Sequence, residues 1–174
     1  MYQHKKTMAV ITGTATAAAM ILIFCFSAEN DDLSSETSGK ILEVLCSIVH
    51  WLIRSADKQA AFDAFLEIYI RKLAHFTEFA ILGLFSTMFY AVWQKNRIRL
   101  PLLPLPLGFV YACSDEWHQT FIPGRCGEFR DVLIDAAGVA AGVLAAMFIL
   151  WLSARIRQKK NRKETNHSSS NAPV

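Results

Sequence analysis

Residues 8–28, MAVITGTATAAAMILIFCFSA, run for twenty-one positions without one charged side chain. A helix that crosses a bilayer needs about twenty such residues, because ~30 Å of hydrocarbon must be spanned and every backbone polar group must be satisfied within the segment. This stretch constrains the fold more than any other. Residues 136–154 come close to the same length, and 79–93 and 100–114 lengthen to full spans if polar residues at one end are admitted. The chain therefore reads as an all-α polytopic membrane protein with four transmembrane helices, near 8–28, 73–93, 100–116 and 132–153. With 53% of its 174 residues hydrophobic, it is too apolar for an ordinary soluble domain.

The first run follows His4, Lys5 and Lys6, as a secretory signal would. Its apolar part exceeds the roughly 7–15 residues of such signals, so it reads as a retained anchor. Phe24 precedes Cys25 where a lipoprotein signal wants Gly or Ala, which argues against lipidation.

Basic residues in short loops are retained on the cytoplasmic side. Lys5 and Lys6, then Lys95, Arg97 and Arg99, and then the run from Arg155 to Lys163 gather on one side with the single acid Glu164. Both termini are thus expected in the cytoplasm, with 29–72 and 115–131 outside a cytoplasmic or inner membrane. Residues 1–7 read as a basic N-terminus, 8–154 as the membrane domain, and 155–174 as a basic, disordered tail beside anionic lipid. The segment 29–72 predicts two amphipathic helices. One carries Ile41, Leu42, Leu45, Ile48, Val49 and Leu52 at helical spacing; the other covers about 57–71, and either runs on into the second span or bends near Arg71-Lys72. Cys25, Cys46, Cys113 and Cys126 all fall at or beyond the outer surface, where an oxidising exterior permits disulfides. Cys25 and Cys113 read more simply as small apolar span residues.

Between the last two spans lies CSDEWHQTFIPGRCGEFRDVLID, Cys113 to Asp135. Ionisable groups at membrane depth are costly unless paired or wetted, so their presence points by default to function. Arg71, His75 and Glu78 follow i, i+4, i+7 and line one stripe at the outer end of the second span. Asp115 and His118 stand three apart, as do Glu116 and Gln119, and each pair shares a face if the helix continues. Asp131, Asp135, Gly138 and Gly142 share one face of the last span. There the glycines form a GxxxG that lets another helix approach closely, so the two carboxylates point into the bundle. Arg125 and Arg130 hang above on the loop. Three spans thus bring acids, histidines and bases to one outer layer. Asp131 and Arg130 read as a structural ion pair on the loop, whereas structure alone is an expensive explanation for the rest.

At these residues the chain resembles the VanZ-like family of bacterial membrane proteins. The resemblance rests on RKLAHFTEFAILG at Arg71 to Gly83, on SDEWHQ at Ser114 to Gln119 with Pro123-Gly124-Arg125, and on RDVLID at Arg130 to Asp135 followed by Gly138. Phe79 stands where the family often has Tyr, and Glu29 where Gln is common. The resemblance implies four spans and an envelope role, the namesake being associated with low-level resistance to teicoplanin-type glycopeptides; it implies no reaction.

The ligand-binding set read from the sequence is Arg71, His75, Glu78, Asp115, Glu116, His118, Gln119, Arg125 and Asp135. It suits an anionic lipid-linked or cell-wall-precursor head group, gripped by Arg125 and Arg71. A membrane-embedded enzyme, acid–base or metal-dependent, is the alternative. No metal and no cofactor are assigned, because the spacing matches no established zinc signature and Arg71, Lys72 and Arg125 oppose a cation. The catalytic residues of an enzyme stay unknown, since no nucleophile stands beside a base. A transporter would need an oligomer to build a two-sided path. The partners expected are membrane lipid, the head group and a second copy through Gly138 and Gly142, with no nucleic acid.

Overall fold

The computed structural model describes residues 2–28 and 56–170. Among these residues it is all-helical, without a strand: α1 (Tyr2–Ser27), α2 (Ala56–Ala91), a 3₁₀ segment (Arg97–Leu102), α3 (Pro104–Gln119) and α4 (Phe129–Ser170). The amphipathic helix expected around Ile41 to Leu52 and Cys46 lie outside the described residues.

Among the described residues three helices are long and apolar enough to cross a membrane, through Lys5–Ser27, Ile68–Ala91 and Phe129–Arg162. Their apolar side chains are not all inside. Ile21, Leu144 and Phe148 are exposed, a distribution that suits hydrocarbon and not water. The third of the four expected spans is α3, and it differs from the other three. Its 16 residues rise about 24 Å at ~1.5 Å each, short of a ~30 Å hydrocarbon layer. The prolines explain why. Pro101 sits in the 3₁₀ segment and Pro104 opens α3, where a missing N–H costs nothing, so regular helix begins only there.

Nothing interrupts α2 at Arg71-Lys72; one helix runs from Ala56 to Ala91. The chain has no Gly or Pro between Ala56 and Phe79 to break it. At the other end α4 continues to Ser170, so 155–170 are helical where a disordered tail was expected. The run of Ala, Arg, Gln, Lys and Glu from Ala154 to Glu164 is made of good helix formers and extends the last span without a stop.

The main contact of the bundle is α2 along α4, with α1 against α2 and α3 against α4. Its core is Phe79 and Leu82 of α2, Val139 and Val143 of α4, Ile23 of α1 and Ala112 of α3. Glycines set the α2–α4 distance. A Cβ at Gly142 would lie 1.9 Å from the Ala80 carbonyl oxygen, and one at Gly138 would lie 2.4 Å from that of Phe76. The helix that the GxxxG admits is therefore the chain's own α2, where the sequence also suggested a second copy. This close seam fixes which α4 residues face α2, and one and two turns beyond it stand Asp135 and Asp131.

Candidate functional site

The polar layer forms where the end of α1, the middle of α2, the end of α3 and the start of α4 converge. It reflects four local choices. α3 stays helical to Gln119, so Asp115, Glu116 and Gln119 turn inward together and are all buried. The chain then reverses through Pro123-Gly124, with the Arg125 N–H on the Ile122 carbonyl at 3.1 Å and Gly124 at φ 81°. Proline followed by a residue of positive φ, closed by that bond, is a type II turn, and only glycine takes the φ without strain. The turn hangs Arg125 over the layer. Finally, the Glu128 N–H at the start of α4 donates to Glu116 Oε2 at 3.0 Å, so a carboxylate sits at a helix N-terminus, where unpaired N–H groups and the helix dipole favour it.

Hydrogen bonds hold the acids apart. Gln119 Nε2 donates to Asp115 Oδ2 at 3.0 Å and to Glu116 Oε1 at 3.3 Å, so one amide bridges two carboxylates. Ser27 Oγ, at the end of α1, donates to the same Asp115 Oδ2 at 2.8 Å. Arg125 Nη2 donates to the Phe26 carbonyl at 3.4 Å, which closes the loop onto α1. Across α2 and α4, Lys72 pairs with Asp131 at a partly exposed position. The partner of Asp131 is thus on another helix; Arg130, its neighbour in sequence, is exposed.

Asp135 is different. It is fully buried, and neither carboxylate oxygen has a hydrogen-bond partner among the described residues. His75 stands close by, its Nδ1 3.9 Å from Asp135 Oδ1 and also without a hydrogen bond. An unpaired buried carboxylate is costly, and a buried polar group without a partner calls for an explanation.

A cavity of about 530 Å³ opens over this layer. Of the nine sequence-predicted residues, Arg71, His75, Glu116, Gln119, Arg125 and Asp135 line it. Asp115 does not line it but joins His75 and Asp135, the three offering donor atoms within 4.8 Å of one another; it lines a smaller pocket instead. Glu78 is half-buried one turn further along α2 and does not line the cavity. His118 turns the other way, its ring 4.5 Å from that of Phe24 beside a smaller pocket of about 240 Å³. The set read from the sequence left out Ser27, Lys72 and Glu128. Lys72 gave a signal, being one residue from Arg71 at membrane depth, whereas a backbone N–H and a lone serine give none. Cys25, Cys113 and Cys126 are free thiols.

Residues 13–151 match the family described as VanZ/LLP1, a stretch that contains α3, the loop, and the parts of α1, α2 and α4 that build the layer. The chain belongs to the VanZ/LLP1 family. No curated protein and no solved structure gives a significant match to it.

Proposed function

We propose that this VanZ-like chain crosses a bacterial cytoplasmic membrane four times with both termini inside, and that its polar layer, on the outer face, binds or shields an anionic lipid-linked or cell-wall head group. The observation that carries the reading is the cavity itself, about 530 Å³ at the end of an apolar bundle, with Arg71, Lys72 and Arg125 on its wall. Arg71 and Arg125 share the wall with Glu116, Glu128 and Asp135, and Lys72 with its partner Asp131; the two guanidinium groups suit a phosphate or carboxylate. The net basic inner loops and the short α3 agree with this topology, since a short span leaves its polar end near the head-group level.

The test is binding of phosphatidic acid, with phosphatidylcholine as the neutral comparison, to the purified chain by native mass spectrometry. Arg125→Ala lowers phosphatidic acid binding tenfold or more, about 1.4 kcal/mol. Arg125→Lys does nearly the same, because it keeps the charge and loses the fork. Equal binding by wild type and both variants would sink the reading. In cells, a change in susceptibility to teicoplanin-type glycopeptides is the outcome the family likeness suggests.

A membrane-embedded enzyme is the second reading, favoured by His75, Glu116 and Asp135 lining the same cavity. Such chemistry needs a carboxylate that takes a proton or holds a cation, so Glu116→Gln would abolish function while leaving the folded chain in the membrane.

A further inference from the structure

We infer that His75, Asp115 and Asp135 hold a divalent cation of the zinc or manganese type at the floor of the cavity. Three helices supply the donors, one each from α2, α3 and α4, and a ligand atom from each lies within 4.8 Å of the other two. One imidazole and two carboxylates make a mixed nitrogen and oxygen set that suits these ions. Metal–ligand bonds of about 2.0–2.2 Å bring tetrahedral donors to roughly 3.3–3.5 Å from one another, so the site closes by small side-chain rotations.

The second observation is Asp135. Its side chain is 1% exposed, aims at His75, and has both oxygens without a hydrogen bond among the described residues. A buried carboxylate is neutral, paired or bound to a metal in stable proteins, and donor atoms of His75 and Asp115 within 4.8 Å point to the last. His75 does not supply the pairing, because its Nδ1 at 3.9 Å is beyond hydrogen-bond reach and carries no other partner there. Asp115 is already prepared as a ligand. Ser27 and Gln119 both donate to its Oδ2, the outer hydrogen bonds that orient a ligating carboxylate. Two of the three cations that the sequence set against an ion have other partners. Lys72 is held by Asp131, and the side chain of Arg125 reaches toward the Phe26 carbonyl. Glu116 adds a third acid beside the cavity.

Three protein ligands leave a fourth position open toward the cavity, as in catalytic rather than structural zinc sites. A phosphate oxygen entering between Arg71 and Arg125 fits that position; this last step alone rests on the head-group reading.

The experiment is metal analysis of the full chain purified in detergent, stripped with a chelator, reloaded separately with Zn²⁺, Mn²⁺, Mg²⁺ and Ca²⁺, and desalted. About one Zn²⁺ or Mn²⁺ per chain is expected, together with a rise in the thermal unfolding midpoint that the chelator reverses. Asp135→Asn and His75→Gln lower the affinity at least a hundredfold and abolish the rise. Should Asp135→Asn not fold, His75→Gln and Asp115→Asn carry the comparison, on samples that remain monodisperse and helical. A folded wild type that retains no Zn²⁺ or Mn²⁺, one that prefers Mg²⁺ or Ca²⁺, or equal metal in wild type and His75→Gln would each overturn the site. Phosphatidic acid binding is measured without added metal, so the two readings fail separately.

Discussion

Between Phe76 and Leu84 of α2, facing Gly138 and Gly142 of α4, the two helices meet backbone to backbone, whereas within two turns, at Lys72, His75, Asp131 and Asp135, the same helices keep polar side chains between them. The first region works by having no side chains: the separations at Gly138 and Gly142 leave no room for a methyl group. The second works by having long ones, and a cavity of about 530 Å³ lies beside them. The seam sets the interhelical distance and the rotation of α4, and the polar layer inherits both. Asp135 is buried because α4 cannot back away to wet it.

The largest effect should come from the seam. Gly142→Val places a branched side chain where even a Cβ would lie 1.9 Å from the Ala80 carbonyl oxygen and 2.7 Å from the Leu84 nitrogen. Backbone cannot yield as a flexible side chain can, so the variant loses about 3 kcal/mol or more in denaturant titration in micelles. A loss below ~1 kcal/mol would mean the helices are not so close. A smaller effect is expected in the layer, from Ser27→Ala. It removes a 2.8 Å hydrogen bond to a buried carboxylate, which is worth about 1.5–3 kcal/mol in the same titration. The smallest belongs to Lys72 and Asp131, whose side chains are 33% and 31% exposed. A double-mutant cycle with Lys72→Met and Asp131→Asn should give a coupling of no more than about 1 kcal/mol, weakened by salt. A coupling above 2 kcal/mol would show that this edge of the layer is as shielded as the seam.

The comparison also marks what the sequence could disclose. Apolar length is a local property, so α1, the membrane part of α2 and that of α4 are legible in residues 8–28, 73–93 and 132–153. The glycines at 138 and 142 announce a close neighbour but carry no label for it, and α2 of the same chain is as good a neighbour as a second copy. Helical spacing predicts which residues share a face, which is why Arg71 with His75, and Glu116 with Gln119, come together on one wall. It does not predict which face turns to which partner. His118 shares a small pocket with Asp115, three residues away, yet its ring lies against Phe24 of α1 and not in the larger cavity. Lys72 and Asp131 are 59 residues apart and Ser27 and Asp115 are 88 apart, and no periodicity spans such distances. Helix propensity from Ala154 to Glu164 was readable but was outweighed by charge, since a run of basic residues looks like a tail.

The bond between Ser27 and Asp115 has a consequence for the order of assembly. Ser27 ends α1, and the carboxylate it serves is 88 residues later in the chain. At a synthesis rate of about 5–20 residues per second, roughly 4–18 s separate the two. For that interval α1 rests in lipid with its hydroxyl and the Phe26 carbonyl still to be claimed. Both acquire their partners, Asp115 and Arg125, only when the α3 hairpin has left the ribosome. α1 is thus in place well before the side chains that fasten it to α3 and its loop.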